Sequence, residues 1–505
     1  MSFAKVYTRS VIGLHAPQVL VEVHLSPGLP ALTIVGLPEA SVRESKDRVR
    51  SALINSGFEF PNRRLTISLA PADLPKDGSR LDLPIAMGIL AASGQIDAQV
   101  LEKFEFVGEL ALNGELRAIT GVLSVARAIK MHNKTDSQAR TLITPVANAN
   151  EAVKVGDISV LAADSLAAVC RHLDVVSGLN NNPADLLPVA TMPTAEQTVA
   201  YALDLADVKG QHHARRALEI AAAGGHSLLF KGSPGSGKTL MASRLPSILP
   251  PLSEDEALEV ASIYSIAGVD YRFGERPFRT IHHTISAAAL VGGGSRPKPG
   301  EISLGHRGVV FMDELPEFDR KTLETLRQPI ESKEIIISRA NSQVSFPADF
   351  QLIAAMNPCP CGYHGDISNR CHCRPEQVKK YQDKISGPLL DRIDLHITVP
   401  AMPIDDLQNA AAGESSATVR QRVVAARNKA LARQGKANYE LSPSELDQVA
   451  ALGVGEQQMF KMAQSRLNLS ARSYHRILRV ARTIADLADS DAINTSHIAE
   501  ALSYR

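Results

Sequence analysis

Short runs rich in β-branched residues, VLVEVHL, LTIV, LTISLA and FEFVGEL, alternate with stretches of helical spacing such as EASVRESKDRVRSALINSG. Strand-length and helix-length patterns in turn predict a mixed α/β domain over residues 1–176. Between 198 and 404 the pattern changes. SLLF, VVFM, QLIAA and LHITV are almost wholly apolar and stand apart across long helical segments, as strands of a parallel sheet buried on both faces do. Residues 418–505 read as helix throughout, and RSYHRILRVARTIADLAD carries Ile477, Val480, Ala481, Ile484 and Leu487 on one face, which predicts a helical lid. Two polar stretches divide the chain: 177–197 (SGLNNNPADLLPVATMPTAEQ), a linker rich in turn formers, and 405–417, a weaker join between core and lid.

A chain of 505 residues exceeds one hydrophobic core, so two or three domains are expected. Its 54 basic and 54 acidic side chains cancel, leaving no bulk field for nucleic acid or membrane; such a partner must be met by a local patch. No apolar run approaches membrane-spanning length, and the first residues lack the apolar segment of a signal peptide. These features place the protein in the cytoplasm, with its five cysteines as reduced thiols or metal ligands.

The strand SLLF runs into Gly232, Ser233, Pro234, Gly235, Ser236, Gly237, Lys238 and Thr239, then a helical segment. Glycines there let backbone N–H groups curl around phosphate oxygens. Lys238 would reach the β and γ phosphates of ATP and the Thr239 hydroxyl would ligate magnesium. The apolar strand VVFM ends in Asp313 and Glu314, the first to hold magnesium through water and the second to polarise the attacking water. Acids often end a buried strand for solubility alone; the phosphate loop gives this pair its meaning. Asn357, at the end of QLIAAM, would orient the same water. Arg392 in GPLLDRIDLHI is either half of a local ion pair or the arginine that a ring-forming ATPase extends to its neighbour's γ-phosphate, a contribution of roughly 10³ to 10⁵ in rate. Arg472, opening the last long helix, is the candidate to touch the γ-phosphate from within the same chain.

LADVKGQHHARRALEIAAAGGHSLLFKGSPGSGKT, PKPGEISLGHRGVVFMDELPEF, SRANSQVSFPADFQLIAAMNPCPCG and GPLLDRIDLHI together resemble the ComM/YifB family of magnesium-chelatase-related AAA+ ATPases, and the resemblance covers essentially the whole chain. It implies an α/β fold: an AAA+ P-loop ATPase core with a helical lid, preceded by an α/β Lon-protease-like domain. It also implies a homo-hexameric ring and an ATP-driven helicase that moves branched DNA while transforming DNA is integrated, with single-stranded or branched DNA and recombination proteins as partners. A chelatase-like ATPase that remodels a protein partner is the alternative. By the same resemblance Arg392 matches the arginine finger and Arg472 the second sensor. Residues 290–308 and 330–347 are similar to two inserts that project into the pore of related rings, so Arg296, Lys298, Arg307, Lys333 and Arg339 would supply the basic patch, unless they are solvated loop charges.

The segment PKDGSRLDLP (75–84) aligns with the loop that holds the nucleophile of Lon-type proteases. Here Arg80 occupies the serine's place, Ser79 falls one residue early, Asp82 replaces a glycine, and Leu123 stands where the partner lysine belongs. A serine without its base is a poor nucleophile, so the expected domain keeps the fold and lacks peptidase activity. A slipped pairing of Ser79 with Lys76 is the alternative; otherwise Lys76 and Arg80 contact DNA or a neighbouring subunit, or are plain loop charges.

Within the cysteine-rich loop 357–375, Cys359, Cys361, Cys371 and Cys373 form two C-x-C pairs. Four thiolates can close a tetrahedral zinc site, with His364 or His372 as substitutes for one of them. Zinc would hold a segment too small for its own core, on the order of 10 kcal/mol by comparison with zinc-finger peptides. Cys170, alone on a helical segment, reads as core.

Overall fold

In the computed structural model of the protein every residue is described except 1, 37–39, 77, 137, 193–200, 295–296, 340–341, 367–369, 404–409 and 468–469, together with the side chains of 40, 41, 43, 339, 342, 466 and 467. The chain divides into two units, residues 1–197 with 261–273, and 198–260 with 274–505.

In the first unit, alternation builds the sheet. β1 (Phe3–Arg9) pairs antiparallel with β2 (Gln18–Ser26), setting Val6 opposite Val21 and Ala4 opposite Val23. All four are buried on one face. With β3 (Ala31–Val35), β4 (Arg64–Ala70), β5 (Phe104–Phe106), a side ribbon of β6 (Glu109–Leu110) and β7 (Leu116–Arg117), then β8 (Thr141–Pro145) and β9 (Val160–Ala163), the main sheet runs β3-β4-β2-β1-β5-β8-β9. The helix Asp82–Ala92 is buried along its whole length. A Cβ on its Gly88 would fall 2.6 Å from Val23 Cγ2, so only glycine lets it lie this close to the sheet.

The stretch expected as a linker, 177–197, packs on the first unit over its described part. Ala162 and Ala190 N–H groups donate to Pro188 and Val160 carbonyls, 3.0 and 2.9 Å, so the segment runs along the free edge of β9. Leu187 is buried, and its N–H donates to His172 Nδ1. The exposed N–H and C=O row of an edge strand recruited a segment that looked polar and structureless. Residues 193–197 of that stretch, and 405–409 of the second polar join, lie outside the described residues.

The second unit holds β10 (Leu228–Gly232), β11 (Phe278–Ile281), β14 (Val309–Met312), β17 (Gln351–Met356) and β18 (Leu395–Val399) in one all-parallel sheet, ordered β11-β14-β17-β10-β18. Two ribbons interrupt it: β12 (Gly292–Gly293) with β13 (Lys298–Pro299), and β15 (Glu334–Arg339) with β16 (Ser342–Pro347). They touch, since a Cβ on Gly292 would lie 3.2 Å from Ile337 Cδ1. The helices Ser416–Gln434, Pro443–Val449, Val454–Leu467, Ala471–Leu487 and Thr495–Ser503 follow. Ile477, Val480, Ala481 and Ile484 are buried as their spacing predicts. They join Phe230, Ile353 and Ile397 in one core, so the lid has no separate core of its own.

Candidate active site

Every strand of the parallel sheet ends at the same edge, which gathers residues far apart in sequence. β10 delivers the phosphate loop. Gly235 and Gly237 take φ values of 78° and 87°, a conformation that other residues adopt only with strain. A Cβ on Gly232 would meet the Val399 carbonyl oxygen at 2.3 Å. The Lys238 ammonium is buried and donates to Gly232 O at 2.8 Å, Ser233 O at 2.9 Å and Asn357 Oδ1 at 3.2 Å. Desolvation pulls its pKa down from the ordinary lysine value, with Asp313 and Glu314 acting in the opposite sense.

β14 delivers the acids. Thr239 Oγ1 donates to Asp313 Oδ2 at 2.7 Å, and Asp313 Oδ1 accepts the Glu314 N–H at 2.9 Å. Glu314 has φ 52°, a strained setting for a side-chain-bearing residue, and it turns the half-exposed carboxylate towards His283 Nδ1, 3.8 Å away. His283 lies just past β11, and no sequence motif pointed to it; that two strands end beside each other is knowable only from sheet order. The residues present fit ATP with magnesium: a loop of backbone donors, an ammonium beside it, and a hydroxyl–carboxylate oxygen pair of the kind magnesium takes.

Arg392 and Arg472 stand elsewhere. Arg392 precedes β18, whose Leu395 pairs with Leu228 at the start of β10, so it lies at the sheet edge opposite the phosphate loop, roughly 15 Å away by strand rise. Its guanidinium contacts Glu331 Oε1 at 2.5 Å and Pro388 O at 2.6 Å. Arg472 lines the same cleft of about 510 Å³, along with Arg476 and Arg479. Lid packing sets the Arg472 helix against the entering ends of the strands, away from the phosphate loop of its own chain.

Of the five basic residues assigned to DNA, Lys298 is exposed on β13. Arg339 ends β15, its side chain lying outside the described residues, as Arg296 does entirely. Arg307 and Lys333 are both ion-paired. Arg307 Nη1 bonds Asp349 Oδ2 at 2.9 Å and stands 3.6 Å from Glu256, and its Nε lies 3.4 Å from Glu259. Lys333 pairs with Glu440 at 2.5 Å and sits 3.6 Å from Asp349. Both cations are spent inside the unit because acids distant in sequence fold against them.

The four cysteine sulfurs converge. Their Sγ atoms all lie within 4.8 Å of one another, with Cys359 3.3 Å from Cys361 and 3.8 Å from Cys371. The Tyr363 N–H draws the Cys361 thiol down to about 6, while Cys373, despite a lowering N–H from Cys361, is pushed up to about 12 by that residue's sulfur. This cluster can hold a metal ion. Cys170 is buried, with desolvation raising its thiol.

In the first unit no serine dyad forms among the described residues. Ser79 Oγ donates to Glu109, Lys76 Nζ is fully buried and donates to Pro71 O, and Leu123 is core. Burial also lowers the Lys76 pKa. Asp82 is tied to Arg48 at 2.9 Å.

Family models for magnesium chelatase subunit ChlI match residues 204–407 and 21–148, and one for the C-terminal part of that subunit matches 413–505. Competence protein ComM of Haemophilus influenzae is 50% identical over 513 residues, covering 100% of this chain and 98% of that protein. The chain belongs to the ComM/YifB family of magnesium-chelatase-related AAA+ ATPases. YifB of Escherichia coli is 48% identical over 510 residues, 100% of this chain and 97% of its own. Lon protease 2 of Bacillus subtilis is 26% identical over 190 residues, a third of each chain. The protein thus has an AAA+ core with a helical lid and a Lon-like α/β unit, and family membership implies ATP and magnesium as its cofactors. No helix among the described residues is long and apolar enough to cross a membrane.

Proposed function

We propose that this ATPase is a DNA motor, a homo-hexameric helicase that drives branch migration of DNA during recombination or the integration of transforming DNA. The observation that carries the reading is the divided site. Lys238, Thr239, Asp313, Glu314 and Asn357 meet at one edge of the sheet, while Arg392 and Arg472 face a cleft at the other. A guanidinium so far from its own phosphate loop stabilises a γ-phosphate only when a second subunit presents it. ATP at each seam would then be held by one subunit and triggered by the next. The two adjoining ribbons, with exposed Lys298, are the segments that would follow DNA, and Arg296 and Arg339 belong to the same stretches. The relative named a competence protein supports DNA as the substrate.

A second reading, remodelling of a protein partner, is favoured by Arg307 and Lys333, whose ion pairs leave fewer cations for DNA. One measurement separates them: a synthetic four-way junction incubated with ATP or a non-hydrolysable analogue. Resolution into products with ATP alone, and ATPase stimulated by the junction, supports the motor. ATPase indifferent to DNA defeats it and leaves the protein-remodelling reading.

A further inference from the structure

We infer that Cys359, Cys361, Cys371 and Cys373 hold a zinc ion whose role is to brace the phosphate loop, so that nucleotide affinity depends on the metal. The sulfur geometry comes first. Zinc–thiolate bonds of about 2.3 Å in a tetrahedron set sulfur atoms about 3.8 Å apart. The pairs among Cys359, Cys361 and Cys371 are 3.3, 3.8 and 3.6 Å, and all four sulfurs fit within 4.8 Å. These separations are far too long for disulfides and too short for four sulfurs around a polynuclear iron–sulfur cluster. An all-thiolate set selects zinc over the hard ions magnesium and calcium.

The second observation ties the cluster to the nucleotide. Asn357, which accepts from Lys238 at 3.2 Å, is two residues before the buried Cys359. After Cys361 the chain turns at Gly362, with φ 87° and its N–H on Cys359 O at 3.0 Å. A Cβ there would lie 2.6 Å from Pro234 Cδ and 3.8 Å from Asn357 Cγ. The knuckle therefore presses Gly362 against the phosphate loop, where a side chain would not fit. From the far side, Gln382 Nε2 donates to Pro358 O at 2.9 Å. Few apolar groups in this loop are buried, so without the metal little would keep Gly362 seated on Pro234. The inference rests on the phosphate loop's holding ATP, and the test keeps the two apart.

Zinc is measured on the full-length protein by elemental analysis, then released with an organomercurial in a Cys170→Ser background while a metal-sensitive dye follows it. Binding of a fluorescent ATP analogue is titrated before release, after it, and after reduction and zinc refilling, with circular dichroism checking the fold. The expected result is about one zinc per chain, at least tenfold weaker nucleotide binding when stripped, and recovery on refilling. Gly362→Ala should retain its zinc yet bind nucleotide at least fivefold more weakly. Protein as isolated that lacks zinc or carries iron, or a stripped protein or Gly362→Ala variant with unchanged affinity, overturns the inference. If untreated protein and Lys238→Ala bind the analogue alike, it is the phosphate-loop reading that fails instead.

Discussion

Lys238 is surrounded by oxygen atoms: two loop carbonyls and the Asn357 amide at 2.8 to 3.2 Å. Its ammonium is thus already aimed where phosphates would lie, and Lys238→Ala should abolish binding of a fluorescent ATP analogue. Glu314→Gln should keep that binding and lower kcat by roughly 10² to 10⁴, the usual range for a lost general base. His283 is different in kind. Its Nδ1 lies 3.8 Å from the Glu314 carboxylate, close enough to bias that acid's position. His283→Ala should lower kcat at most about fivefold, the upper end for a long, half-exposed ion pair, with KM for ATP unchanged; a change confined to KM would refute the role.

At the scale of elements, Asp349 fastens the hairpin to the lid. It accepts from Arg307 at 2.9 Å and from the Tyr439 hydroxyl at 2.8 Å, and lies 3.6 Å from Lys333. Asp349→Ala removes two hydrogen bonds from a carboxylate whose cations keep other acids, and should cost on the order of 1 to 2 kcal/mol in urea unfolding. β18 carries a pH dependence of its own. Burial first, then Arg505 and Arg476, holds His396 at about 4 rather than its ordinary 6.5. The unfolded chain takes up a proton near pH 6.5 that the folded one refuses until about pH 4, so stability is unaffected above that window and declines as pH falls through it. His396→Gln should flatten urea midpoints between those two pH values.

For the whole molecule, a site shared between neighbours predicts complementation. Lys238→Ala and Arg392→Ala should each be inactive alone. Mixed in equal amounts in a ring, about a quarter of seams join an intact phosphate loop to an intact finger, so about a quarter of wild-type ATPase should return. A mixture that stays inactive, or Arg392→Ala that hydrolyses ATP normally, would show that nucleotide is handled within one chain.

The phosphate loop, the acidic strand end and the paired cysteines were readable from the chain alone because each is contiguous, and backbone geometry at one strand end does most of their work. Strand composition likewise announced a buried parallel sheet, and the apolar face of Ala471–Leu487 announced where that helix would pack. Other outcomes depended on partners tens to hundreds of residues away. The partners of Arg307 and Lys333, Asp349 and Glu440, appear only once the chain folds; the place of Arg472 beside Arg392 is set by the lid joining the core; Gly362 was one glycine among many until it met Pro234. Spacing along a chain reports what neighbouring residues can do together, whereas charge pairing and reach are set by distances that exist only after the chain has packed.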